Sequence, residues 1–442
     1  MKRIISVLLC MAFVLGFAGC KKIENKLFPK SISCGPGDET DGTQTAKEPP
    51  MGSGKTQDLM KNIKKTEAVT KQPDAVFTEA AADFALNLFK NELKSDSNTL
   101  VAPLSVLAAL AMTQNGAAGE TLSQMEKTLG GLSRDDLNAY LGAYLEAVAG
   151  GDSELIAANS IWFGEGRIEP EKDFLQKNAD FFGAGIYSAD FSNSKTVRDI
   201  NSWVKKNTDG MIDKVIDDID ESSVMYLINA LSFEGEWSEP YTDNCVREGS
   251  FQTHSGKTEQ VSYMYSDEYG YIKMDNAKGF IKPYEGGRFS FAAILPDEGV
   301  DIADFVKALD GKTFLTAVNS AEECKVLTQM PKFKTEFSAE LNKTLISMGM
   351  KNAFSESKAD FSLMGKTPSG DNLFVSRVIH KTYIEVAEKG TRAGAVTVVV
   401  KDAGATMTVA PPPEVRLTRP FVYAIIDNET GVPVFIGAQL KI

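Results

Sequence analysis

Apolar residues recur along this chain with two different periods, and the order in which those periods appear predicts the fold class. From residue 76 the string VFTEAAADFALNLFKNEL sets Phe77, Ala80, Phe84, Leu86 and Phe89 at approximately helical spacing, predicting an amphipathic helix that opens the folded region near Ala75. The next stretch, NTLVAPLSVLAALAMTQNGAAGETLSQMEKTLG, reads as a short strand, a turn at Pro103 and a helix ending before Gly116. Thr121 and Gln124 then stand at capping-box spacing and predict the start of another helix. Farther on, AANSIWFGE, VMYLINALSFEGEW, GFIKPYEGGRFSFAAILPDEG and CKVLTQMPKFKTEFS predict strands, the third run a hairpin turning at Gly286 and Gly287. Helical patterns in VRDINSWVKKNTDGMI and AELNKTLISMGM lie between them. Helices come mostly first and strands mostly later, which favours an α+β fold over a doubly wound sheet.

The first 73 residues follow neither period. Lys2 and Arg3 precede an apolar run from Ile4 to about Ala18, closed by Gly19 and Cys20. This is the layout of an export signal over residues 1–19, too short for a comfortable membrane span. The FAGC ending resembles a bacterial lipobox, with Phe17 in place of the usual Leu, and the resemblance implies a lipid on Cys20 that holds the mature protein to a membrane of the cell envelope. A signal cleaved with no role for Cys20 is the other reading, and both readings export the protein. Residues 20–73, which include CGPGDETDGTQTAKEPPMGSGKTQ, are poor in aromatics and are expected to form a disordered tether.

Composition narrows the chemistry. The 442 residues are 43% hydrophobic and 24% charged, enough for a sizeable core. A net charge of −13 without a basic stripe argues against nucleic acid as a partner. The GSGKT at residues 52–56 lacks the earlier glycine of a phosphate loop, Pro49 standing in its place, and no strand precedes it. Cys10 and Cys20 belong to the signal, and Cys34, Cys245 and Cys324 are too scattered for a disulfide framework or a metal spacing. Only His254 and His380 could serve a nucleophile, and neither a GxSxG elbow nor an HExxH motif occurs. No metal and no cofactor are expected, and an enzyme working with carboxylates alone is kept as a remote alternative.

The most specific signal lies in the last third. EVAEKGTRAGAVTVVV, at residues 385–400, has the composition of a buried strand, yet Pro411, Pro412 and Pro413 soon follow and forbid a continuous ladder. Extended backwards to residue 374, the segment FVSRVIHKTYIEVAEKGTRAGAVT closely resembles the hinge region of the serpins, a family of protease inhibitors. His380, Lys381, Glu388, Lys389, Gly390, Thr391, Ala393, Gly394, Ala395 and Thr397 match the family pattern, and Arg392 replaces a usual Glu. NTLVAPLSV is similar to the family's turn, with Ala102 for a usual Ser, and LINALSFEGEW resembles its strand through Asn229, Ala230, Phe233, Gly235 and Trp237. MPKFK, MGMKNAFSESKADFS and RPFVYAIIDNETGVPVFIG are also serpin-like. The matches keep the family's order from about residue 75 to the end.

The resemblance implies a single domain over residues 74–442, with helices packed on a large central sheet, smaller sheets and an exposed reactive loop at about 388–413. It implies no enzyme but a monomeric inhibitor, whose loop is cut by a serine or cysteine protease and inserts as a new strand while the acyl bond persists. Alternation places Thr391, Ala393, Ala395, Thr397 and Val399 on one face, all uncharged as burial demands, with Arg392 on the other. Lys401 returns a charge to the inward face. By family spacing the cut falls within residues 404–410, and the bond from Met407 to Thr408 is the expected bait. Ser105, Asn229 and His380 match the family's polar cluster beneath the parting strands, and Trp237 the aromatic near the first insertion point. His380 and Trp237 also read as plain core residues, and a serpin-fold binding protein without inhibition is the rival function.

Overall fold

The computed structural model describes residues 56–149, 154–368, 370–391 and 411–442. The chain opens with a short strand, β1 (Gln57–Asp58), and then α1 (Ala75–Glu92), whose first turn is capped by the Asp74 carboxylate accepting from the N–H groups of Val76 and Phe77. β2 (Thr99–Val101) leads into α2 (Pro103–Gln114), where proline occupies the first turn and costs no intrahelical bond. Every residue of α2 is buried.

The capping-box expectation at Thr121 is corrected by α3 (Gly119–Thr128), whose N-cap is Ala118. Tertiary contacts claim both side chains instead: the Thr121 hydroxyl accepts from the Asp360 N–H, and the Gln124 carbonyl oxygen from the Asn352 N–H. There follow α4 (Arg134–Val148), β3 (Glu154–Gly164), β4 (Glu169–Pro170), α5 (Lys172–Phe182), β5 (Gly185–Ala189), α6 (Ser194–Asn207) and β6 (Met225–Glu236). Next come β7 (Val246–Gln252), β8 (Thr258–Lys273), β9 (Ala277–Pro283) and β10 (Phe289–Pro296), the last two joined through Gly286 and Gly287, both at positive φ. The chain ends with α7 (Ile302–Ala308), α8 (Gly311–Asn319), β11 (Glu322–Pro331), β12 (Phe333–Glu340), α9 (Asn342–Met348), β13 (Gly365–Lys366), β14 (Arg377–Ala387), β15 (Gly390–Thr391), β16 (Glu414–Arg416), β17 (Phe421–Asp427) and β18 (Pro433–Gln439).

Among the described residues the strands form two large sheets and a two-stranded ribbon of β4 and β13. One sheet has seven strands in the order β1-β5-β3-β6-β15-β14-β12. The other has nine, in the order β16-β11-β8-β9-β10-β17-β18-β2, with β7 beside β8. α2 packs against β3 and β6 of the first sheet and β18 of the second. α6 covers the opposite face of the seven-stranded sheet, where Trp203 meets Trp162 and Tyr187 edge-on. The architecture is the α+β one that the pattern predicts.

The N-terminal boundary differs from expectation. Residues 56–73 are docked on the domain: β1 pairs with β5 at the sheet edge, the Leu59 N–H donates to the Ile186 carbonyl, and Met60 is buried. Thr66 donates to the Asp180 carboxylate and the Lys71 N–H to the Ala139 carbonyl. A tether reaching residue 73 is therefore corrected for this stretch. Edge pairing uses backbone groups, which every sequence supplies, so composition gave no sign of it.

Candidate functional site

β6 and β14 run parallel and pair from Tyr226 opposite Arg377 to Ser232 opposite Tyr383. Beyond that point the two strands part, and the chain itself fills the opening. After β14 it reverses through Glu388 and Lys389, and β15 returns antiparallel between them, with Thr391 flanked by Val386 and Gly235 and Gly390 by Ala387 and Glu236. Gly390 has φ 154, and a Cβ there would lie 2.1 Å from the Gly235 carbonyl oxygen, so a side chain is excluded.

Three contacts fasten the reversal. The Trp237 N–H donates to the Lys389 carbonyl at 2.9 Å, and the Tyr241 N–H to the Glu388 carbonyl at 2.8 Å. Lys332 Nζ reaches the Glu388 carboxylate at 2.6 Å. Burial pushes the Glu388 carboxyl up, but the bond from Lys332 and its own backbone N–H outweigh it and hold the group below its ordinary value.

Beneath β15 lies an aromatic floor. The rings of Trp237 and Tyr284 stack with centroids 4.4 Å apart, and Phe233 and Phe291 meet them edge-on. The Trp237 indole N–H donates to the Ala387 carbonyl at 2.9 Å, tying the floor to the end of β14. Thr391 is fully buried on this side, its hydroxyl 2.6 Å from that of Tyr284. Lys282 lies behind, its ammonium 4.5 Å from the Tyr241 ring centroid and 2.7 Å from the Glu268 carboxylate. Burial raises the Glu268 carboxyl even though Lys282 opposes it.

Lower in the seam, a row of polar side chains crosses three paired strands: Asn159 on β3, Asn229 on β6 and His380 on β14. His380 Nδ1 donates to the Asn229 carbonyl oxygen at 2.5 Å, and Nε2 accepts from the Ala102 N–H at 3.1 Å. Asn229 donates to the carbonyl oxygen of Asn159 at 2.6 Å and also to the Ser105 hydroxyl, which itself donates to Asn159 at 2.9 Å. Ser105 and Ala102 come from the N-terminal end of α2, so the helix end supplies the cluster's partners. Ala102 lacks a hydroxyl, yet its backbone N–H fills the role. Burial alone holds the His380 ring down to about 3, so it is neutral.

Of the residues named from sequence, the structure brings Glu388, Lys389, Gly390, Thr391 and Trp237 to the mouth of the seam, and Ser105, Asn229 and His380 to its lower half. Cys20, Arg392, Ala393, Gly394, Ala395, Thr397, Met407 and Thr408 lie outside the described residues. The chain leaves β15 in the seven-stranded sheet and re-enters at Pro411, and β16 then pairs with β11 in the nine-stranded sheet, so the two ends of the intervening loop are held in different sheets. His254 stands at the surface with Asp301 3.9 Å away. No group of acidic, His or Cys side chains among the described residues could hold a metal, and no described helix is long and apolar enough to cross a membrane. Sequence reasoning missed Asn159, Tyr284 and Lys332. An asparagine inside the apolar run AANSIWF was the one available signal.

The comparisons with known proteins agree with this geometry. The family model described as "Serpin (serine protease inhibitor)" matches residues 79–442. Leukocyte elastase inhibitor A of Mus musculus is 31% identical over 374 residues, which cover 80% of this chain and 96% of the relative. The crystal structure of the thermophilic serpin tengpin in its native state aligns with a TM-score of 0.83 at 46% identity, over 88% of this chain and 100% of that one. Human thyroxine-binding globulin, complexed with its hormone, aligns with a TM-score of 0.74 at 26% identity, over 82% of this chain and 98% of that one. A sheet that admits the start of its own loop, set in this architecture and matched over this length, places the chain in the serpin family of serine protease inhibitors.

Proposed function

We propose that the protein is a suicide-substrate inhibitor of serine or cysteine proteases. The observation that carries the reading is the hairpin of β14 and β15: the first residues of the loop already run antiparallel between β6 and β14, and continuing in the same direction seats residues 393, 395 and 397 at the inward positions. All three are Ala or Thr, small enough for a sheet interior. In the proposed reaction the protease nucleophile bonds to the Met407 carbonyl carbon and the bond to the Thr408 nitrogen breaks, the amine leaving with the proton. The N-terminal side of the cut then carries the acyl-enzyme as β15 lengthens. Extension must part Asn229 from His380, after which Asn229 still has Ser105 on α2 and Asn159 on β3, and His380 still has the Ala102 N–H at the start of α2.

The reading extends to location: Cys20 carries a lipid that holds the protein to a membrane of the cell envelope, and Cys20→Ala releases it to the soluble fraction. Incubation with a panel of serine and cysteine proteases, followed by denaturing gels, tests the inhibition. A covalent band at the summed mass, with a released peptide beginning at Thr408, is expected. Clean cleavage by every protease with no such band would favour a binding function, as the name of thyroxine-binding globulin denotes for that relative.

A further inference from the structure

Tyr284 is fully buried, and burial pushes its hydroxyl well above the ordinary range, so it is neutral. Its position is over-determined. The backbone bridges to Trp237, the Tyr284 N–H donates to the Phe289 carbonyl at 3.0 Å, and the ring is clamped between the stacked indole and the edge of Phe233 at 4.8 Å. A ring held this way delivers its hydroxyl to one fixed point. At that point sits the hydroxyl of Thr391, 2.6 Å away and equally buried. One hydrogen bond joins the two hydroxyls, and either of them can be its donor. Tyr284 belongs to the connection of β9 and β10, so a side chain anchored in the nine-stranded sheet grips Thr391, the second residue of β15, in the seven-stranded one.

We propose that Tyr284 is a positioning residue for loop insertion: its hydroxyl holds the hinge in the seam before any protease arrives, so that insertion starts from a seated strand end. The proposal rests on the inhibitory reading for its consequence, but the latch itself is a property of the uncut protein. By sequence the next two inward positions, Ala393 and Ala395, have no hydroxyl to offer, so the grip belongs to Thr391. With Tyr284→Phe the ring stacking is kept and the Thr391 hydroxyl is left buried without a partner. That favours the withdrawn hinge by about tenfold, the usual penalty for stranding a buried polar group. Thr391→Val strands the Tyr284 hydroxyl in the same way. The double variant Tyr284→Phe with Thr391→Val leaves no stranded group and should return close to the wild type.

The test is hydrogen exchange of the uncut protein over the segment 386–391, which needs no protease. Each single variant should exchange about tenfold faster there, with the lower seam at residues 377–383 unchanged, and the double variant should fall within about twofold of wild type. Wild-type exchange in Tyr284→Phe, or effects that multiply in the double variant, would overturn the latch. A variant that loses protection throughout reports unfolding, and the Thr391→Val single, which removes no core ring, then decides the matter: faster exchange at 386–391 alone supports the latch, and wild-type exchange refutes it. Failure of the inhibitory reading shows separately, as absence of any covalent complex with the wild type. If both readings stand, Tyr284→Phe should raise the number of inhibitor molecules consumed per protease trapped, and the double variant should restore it.

Discussion

The two large sheets use similar residues but close their ladders differently. In the nine-stranded sheet β10, β17 and β18 are buried at every position, and their registers run from Phe289 opposite Asp427 to Phe421 opposite Gln439, with one irregularity. In the seven-stranded sheet β6 and β14 are paired along only part of their length, and the remainder is wedged by two residues of loop. Among these three strands of the nine-stranded sheet the ladder runs without a gap. In the seven-stranded sheet the lower seam is closed by the β6–β14 ladder and the polar side chains of Ser105, Asn159, Asn229 and His380, and its mouth is occupied by β15. The interrupted ladder is thus where the proposed insertion would have to enter, and the continuous one is the part it would leave alone.

The comparison makes predictions that differ in size. The largest concerns Thr391→Arg, which puts a charge where the wild type has a buried hydroxyl and should cost several kcal/mol at the mouth of the seam. Folding and cleavage should survive, but no covalent complex should form and cleavage should no longer raise the melting temperature. A covalent band at wild-type yield would sink the seam as the route of insertion. The mirror experiment, Phe435→Ala in β18, should lower unfolding stability by about 3–5 kcal/mol in a denaturant titration while leaving the fraction of protease trapped unchanged.

Acid should act on the seam through His380. Its native value of about 3 lies below an ordinary 6.5, so below about pH 6.5 the unfolded chain binds a proton that the native ring refuses. The stability it contributes is complete above that pH and is lost as pH falls from 6.5 to 3. About 3 kcal/mol of this loss should appear by pH 4, and His380→Gln should remove that part of the slope in denaturant midpoints measured across the range. The smallest effect belongs to the ion pair of Lys332 and Glu388, whose side chains are 37% and 30% exposed. Lys332→Ala should change stability by less than about 1 kcal/mol, less again at high salt.

Much of this was legible in the sequence, for reasons that differ by region. Strands such as β6 and β10 announce themselves because burial on both faces demands a mostly apolar run, as in MYLINALSF and FSFAAILP, interrupted only by Asn229, Ser232 and Ser290. Gly390 and Thr391 were legible through family resemblance and through alternation. Tyr284 was not, because the partner of Thr391 comes from a different sheet and nothing local in KPYEGG marks a hydroxyl that will meet it. Asn159 was hidden for a related reason: its partners at Ser105 and Asn229 are brought to it only by packing. The docking of residues 56–73 escaped because it depends on backbone pairing and a few side chains such as Met60 and Thr66. The Thr121 cap failed because distant donors competed for the same oxygens.

The place of β18 between β17 and β2 also has a meaning for how the molecule is made. Leu100 pairs with Gly437, so the nine-stranded sheet cannot be completed until Gly437 has been synthesised. Until then β2 lacks its partner strand, although α1 and α2 can already pack on β3, β6 and α8. Contacts this distant in sequence close slowly, and the waiting chain is open to chaperones before it is committed to a shape. Among the described strand pairs, the one that joins β18 to β2 therefore spans the greatest length of chain, and it completes a sheet whose middle strands are close neighbours in sequence.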